Sequence, residues 1–149
     1  METKLTAKDL MIGDWVLCLE STHKNKVYAQ IDAIEEGQRS ILLRKGNTNW
    51  FLFIDFIEPI PLTAEILEQN GFAELMLHDE WSQIFRAYHD DLFIEVGIYE
   101  PMFINIGYVD NEGKEQPLSN IVEVHGENFY VHQLQHALRL CGVDKEITL

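Results

Sequence analysis

Apolar residues in this chain come in short runs, each cut off by glycine, proline, asparagine or aspartate, and that punctuation constrains the fold more than any other feature of the sequence. An amphipathic helix needs roughly ten residues or more to cover a face, whereas runs of about four to eight bounded by turn residues have the length of strands. From Asp14 to Leu19 the residues alternate, with Trp15, Leu17 and Leu19 on one face. Val16 and Cys18 make the other face apolar too, which suits a strand covered on both sides. Ser21–Lys26 reads as a polar loop, Val27–Ile34 as the next strand and Glu36-Gly37-Gln38 as the next turn. Strands at Ile41–Arg44 and Asn49–Phe53 flank Lys45-Gly46-Asn47-Thr48, whose glycine and asparagine accept the positive φ of a tight hairpin.

Helical signals are few and local. Thr6-Ala7-Lys8-Asp9 can cap one short turn that Gly13 ends. Pro59 and Pro61 hold Glu58–Leu62 extended, a stiff connector that marks a lobe boundary. Thr63 can cap a helix over Ala64–Gln69, with Gly71 as its left-handed stop and Phe72 folding back on Leu67. Strands follow at Trp81–Tyr88, Leu92–Tyr99 and Met102–Val109, then a turn at Asp110-Asn111-Glu112-Gly113 and a strand at Asn120–His125 after Pro117. Trp81, Ile84, Phe85 and Tyr88 also fit helical spacing; strand is the reading taken. A last helix runs over about 131–141, with Val131, Leu134, Ala137, Leu138 and Cys141 on one side, Gly142 as its stop and Val143 covering Leu138.

A chain of 149 residues, 46% of them hydrophobic, can bury a sizeable core without a disulfide or structural metal. Cys18 and Cys141 sit far apart among apolar neighbours and read as reduced core residues. The first residues lack a signal peptide's basic and apolar segments, and no run has the length of a membrane span, so a cytoplasmic location and no membrane partner are expected. The net charge of −14 is unevenly placed: residues 1–50 hold seven Lys/Arg against seven Asp/Glu, and residues 51–149 hold four against eighteen. Nucleic-acid binding draws on cations displacing counterions at phosphates, so DNA or RNA is not expected as a direct ligand.

Glu58-Pro59-Ile60-Pro61-Leu62-Thr63 with Ile66-Leu67 and Gly71-Phe72, the terminal Val131-His132-Gln133-Leu134-Gln135-His136, and Ile12-Gly13-Asp14-Trp15-Val16 together resemble a family of short uncharacterised proteins from gut Bacteroides genomes and their phage-like mobile elements. The resemblance covers nearly the whole chain. Its motifs are caps, turns and core positions, so it implies a shared fold and carries no chemistry. Gly13-Asp14-Trp15-Val16 also resembles the first strand of SH3-like small barrels. The expected fold is therefore α+β and mainly β: an SH3-like barrel lobe over residues 1–61, packed against an α+β lobe over 62–149 with an antiparallel sheet and two short helices, unless both form one compact domain.

Chemistry-bearing constellations are sparse. His132 and His136, at i and i+4 on a helix, with His125 from the preceding strand, could hold a zinc ion. Position 133 is Gln, so the general base of HExxH proteases is missing, and Arg139 follows on the same stripe. Projection at about 100° per residue puts His132 and His136 opposite Val131, Leu134 and Leu138, so the pair reads as a solvated polar face and no metal or other cofactor is assigned. His78-Asp79-Glu80 and His89-Asp90-Asp91 repeat a His-acid-acid pattern, read as turns rather than paired carboxylates. No Gly-x-Ser-x-Gly elbow or phosphate-binding glycine loop is present, neither cysteine has an electropositive setting, and no catalytic residue is assigned. Trp15, Trp50 and Trp81 read as core rather than as a ligand groove. The function that remains is a non-enzymatic accessory protein acting on another protein. The alternatives are an acidic nucleic-acid mimic that inhibits a host enzyme, and a His-ligated metal-dependent enzyme.

Overall fold

The computed structural model describes residues 5–22, 24–35, 37, 39–75, 83–99, 102–124 and 128–149, with backbone alone for 119–124. The protein is mainly β, with two antiparallel five-stranded sheets and two α-helices. It divides into two compact units: Met1–Ile60 with Tyr130–His132 and Leu149, and Pro61–Phe129 with Gln133–Thr148. No helix among the described residues is long and apolar enough to cross a membrane.

The first unit holds β1 (Trp15–Leu19), β2 (Lys26–Glu35), β3 (Ser40–Lys45), β4 (Thr48–Phe53) and β5 (Ile57–Glu58), in sheet order β4-β3-β2-β1-β5. Local chemistry explains the turns. Thr6 N–H and its hydroxyl both donate to Asp9 Oδ2, at 2.8 and 2.7 Å, and hold a 3-10 turn at Ala7–Asp9. Gly46, at φ +58°, lets β3 turn straight into β4 with Lys45 paired to Thr48. The buried Asp14 takes Met11 N–H at 2.7 Å, closing the turn that feeds β1. Val16 and Cys18 are the inward face of β1; with Ala29, Ile31, Ile41, Leu43, Leu52, Ile54 and Ile57 they form the core of the unit. A 3-10 turn over Ile54–Phe56 separates β4 from β5. The sheet does not close: β4 pairs only with β3 and β5 only with β1, so the expected barrel is not formed as a hydrogen-bonded ring among the described residues.

The second unit holds β6 (Ala73–Glu74), β7 (Ile84–His89), β8 (Leu92–Gly97), β9 (Met102–Val109) and β10 (Glu115–Val124), in order β10-β9-β8-β7-β6. Residues 84–88 are strand, as the aromatic and β-branched run indicated; Trp81 lies outside the described residues. β10 starts earlier than the sequence suggested and runs through Pro117. It is an edge strand, where a missing N–H can face away from the ladder, and its register shifts between Pro117 and Ser119. Helix α1 (Ala64–Gln69) starts where Thr63 Oγ1 accepts Ile66 N–H at 3.3 Å and stops at Gly71, φ +81°, with Phe72 N–H returning to the Leu67 carbonyl at 3.0 Å. Helix α2 (Val131–Leu140) ends in the same way, with Gly142 at φ +68° and Val143 N–H on the Leu138 carbonyl at 2.9 Å.

Two side-chain devices fix this unit. Asn70, buried behind α1, donates Nδ2–H to the Thr148 carbonyl at 2.9 Å and accepts Thr148 N–H on Oδ1 at 2.8 Å, doing for the C-terminal segment what a neighbouring strand would do. On the sheet, Phe93 and Gly107 are register partners, and a Cβ on Gly107 would overlap the Phe93 ring and come within 2.6 Å of the Gln116 carbonyl oxygen. The bare glycine lets the ring lie across β9, and Arg86 stacks over that ring at 4.8 Å.

Candidate functional site

Of the three histidines that spacing offered as a metal set, two fall among the described residues. His125 lies outside the described residues. His132 is buried, with 5% of its surface exposed, and its ring stacks parallel to Tyr130 at 5.9 Å; His136 is half-buried. The solvated face projected for this pair is therefore corrected at His132. The projection allowed α2 one covered stripe, whereas Val131, His132, Leu134, Gln135, Ala137 and Leu138 are all buried and exposure begins only at Arg139 and Leu140. Among the described residues no three His, Cys, Asp or Glu side chains are grouped so that they could hold a metal ion.

Of the two His-acid-acid triplets, residues 78–80 lie outside the described residues. His89-Asp90-Asp91 forms the turn between β7 and β8, with Asp90 at φ +52° and its carboxylate 3.8 Å from His89 Nε2. Aspartate is among the few residues that adopt this conformation readily. Cys18 is buried and its thiol is pushed up from 9.0 to about 11, by burial first and against the lowering pull of Lys45. Cys141, read from the sequence as core, is only partly covered, and burial raises its thiol as well. Neither thiol is poised as a nucleophile, since the thiolate is the reactive form.

A dense polar cluster lies on the second sheet. Arg86 bonds Glu95 Oε1 through Nη2 and, at 3.1 Å, through Nε; its Nη1 reaches Glu115 Oε1 at 2.6 Å and Tyr88 Oη at 3.2 Å, and Tyr88 Oη donates to Glu115 at 2.9 Å. The Tyr88 hydroxyl, then the Arg86 guanidinium, hold the Glu115 carboxyl below the usual carboxylate range. Every group in this cluster is matched, and it ties β7, β8 and β10 across one face of the sheet.

An opening does occur on the first unit. Leu19, Ser40, Phe51, Leu52, Phe53 and Phe56 line a hollow of about 560 Å³. Phe51, Phe53 and Phe56 are exposed over 57%, 56% and 53% of their surfaces. Period-two geometry explains the display: Leu52 turns into the core, so Phe51 and Phe53 must turn out, and the 3-10 turn after β4 brings Phe56 to the same hollow. Trp50 is half-buried against the core, with Nε1–H on the Leu19 carbonyl at 3.0 Å. Sequence reasoning weighed a groove only among the tryptophans, read them as core, and missed the phenylalanines, although their alternation with Leu52 was in view. No family model, curated protein or solved structure matches the chain.

Proposed function

We infer that the protein is a non-enzymatic, cytoplasmic accessory protein that acts by binding another protein through the aromatic hollow of its N-terminal unit. The observation that carries this reading is the grouping of Phe51, Phe53 and Phe56, each more than half exposed, around one cavity. Scattered surface phenylalanines need no explanation, but clustered ones around a concavity are a feature of interaction sites. Strand order β4-β3-β2-β1-β5, with a 3-10 turn before the last strand, supports an open variant of the SH3-like small barrel as the scaffold. The resemblance to short proteins of gut Bacteroides mobile elements supports the accessory role. The excess of acidic residues beyond position 50 supports a protein rather than DNA or RNA as the direct ligand.

Affinity capture from the native host, quantified for wild type and for Phe53→Ser and Phe56→Ser, tests the reading. Exposed substitutions of this kind shift stability by only about 0.5 kcal/mol, so folding is retained. A defined protein captured by wild type and lost with either variant is expected; identical captures from all three chains overturn it.

A further inference from the structure

The hollow borders the edge of β4, which pairs only with β3 among the described residues. Ile54 N–H donates to the Arg39 carbonyl at 3.0 Å, and the β3–β4 register continues that pairing through Leu52 with Ile41, Trp50 with Leu43 and Thr48 with Lys45. In an antiparallel ladder the hydrogen-bonded positions alternate, so the backbone N–H and C=O groups of Asn49, Phe51 and Phe53 point away from β3, to the open edge. Natural sheets protect such edges with charges, prolines or bulges. From Thr48 to Phe53 β4 contains no charge and no proline, and its register with β3 has no shift. Beside β4, Arg39 pairs with Asp55 at 3.4 Å and Arg44 with Asp32 at 3.0 Å, and Lys45 stands opposite Thr48 at the hairpin end of the strand. In a chain of net charge −14 the first fifty residues balance, so a copy approaching along this edge meets less repulsion than the overall charge implies.

We propose that a second copy of the chain pairs with the first along β4, antiparallel and about a two-fold axis. Cross-strand partners share a face, so residues of like parity meet: Asn49, Phe51 and Phe53 of one copy lie opposite Asn49, Phe51 and Phe53 of the other on the outer face. A two-fold contact uses the same patch twice and therefore satisfies both edges at once. This inference rests on the reading of the phenylalanines as a docking surface and states what completes that surface. Pairing takes up the backbone edge, leaves the outer face open and joins the aromatics of both copies in one row.

Sedimentation velocity across a wide concentration range tests it. Pairing along one six-residue strand predicts a reversible dimer with a dissociation constant on the order of micromolar. Asn49→Pro removes an edge N–H and keeps every aromatic, and edge strands accept proline; it is expected to raise the dissociation constant about tenfold or more. Phe51→Lys, which sets like charges against each other at the joint, is expected to do the same. A wild type that is monomeric throughout, or a dimer unmoved by both variants, overturns the proposal. Should Asn49→Pro not fold, Phe51→Lys and hydrogen exchange decide: protection of the Phe51 amide must rise with concentration, and its absence overturns the pairing. Partner capture by a monomeric wild type, lost with Phe56→Ser, sinks this inference and leaves the docking reading intact; a dimer without partner capture does the reverse.

Discussion

Trp50 Nε1–H donates to the Leu19 carbonyl at 3.0 Å, tying β4 to the end of β1 although β3 and β2 lie between them in the sheet. The sheet must curl to allow this, and the indole spans the gap that backbone hydrogen bonds leave open. Trp50→Phe keeps most of the ring and removes the donor, leaving a carbonyl unmet. A loss of about 1–2 kcal/mol in chemical denaturation is expected; an unchanged midpoint would show that the bridge contributes nothing.

Gly107 carries a steric requirement rather than a conformational one. Because a Cβ there meets the Phe93 ring and the Gln116 carbonyl oxygen, both sides of the site are occupied. Gly107→Ala should destabilise by about 3 kcal/mol, while Gly107→Ala with Phe93→Leu should recover part of that loss by vacating the ring's place. Equal melts for the single and double variants would remove the ring from the explanation.

Arg86 and Glu95 are both less than one-fifth exposed, so removing one leaves the other charge badly placed. Arg86→Met is expected to cost about 2–3 kcal/mol and Glu95→Gln less, with a double variant milder than the sum. Strict additivity of the two single effects in denaturant melts would contradict the pairing.

The Cys18 thiol has a definite pH signature. Its folded value, raised to about 11 from 9.0, means that the unfolded chain releases the proton first as pH rises. The contribution of this group is complete below pH 9.0 and declines between there and about 11. Cys18→Ala should flatten that alkaline decline in melting temperature. Thiol labelling in native buffer is expected at Cys141 well before Cys18, and the reverse order would contradict the burial seen here.

Asn70 holds Thr148 by two amide bonds and caps the Ile66 carbonyl by a third at 2.8 Å. Asn70→Ala is expected to destabilise by about 2 kcal/mol, with protease sensitivity appearing first at the C-terminal segment. A variant that melts like wild type would mean that water replaces the amide without loss.

Structure set by near neighbours in the chain was legible in the sequence. Thr63 and Gly71 bound α1, Gly142 ends α2, and Gly46 and Asp110 mark hairpins, because each depends on a few consecutive residues. Features set by distant segments were not. Alternation in β1 could not say that Val16 and Cys18, rather than Trp15 and Leu17, face the core, since both sets are apolar. The helical projection of α2 could not show that His132 is covered. The display of Phe51 and Phe53 depends on which face of β4 meets the core, and that is settled by the packing of the whole sheet.

Ile60 and Val131 belong to the same unit, and Val131 N–H reaches the Ile60 carbonyl at 2.9 Å across seventy intervening residues of chain. On a ribosome, the first unit is therefore held incomplete while the sheet of the second is being made. The partner of the Ile60 carbonyl arrives only when translation has passed Val131, so a gene truncated at the proline-rich connector does not yield a finished N-terminal unit.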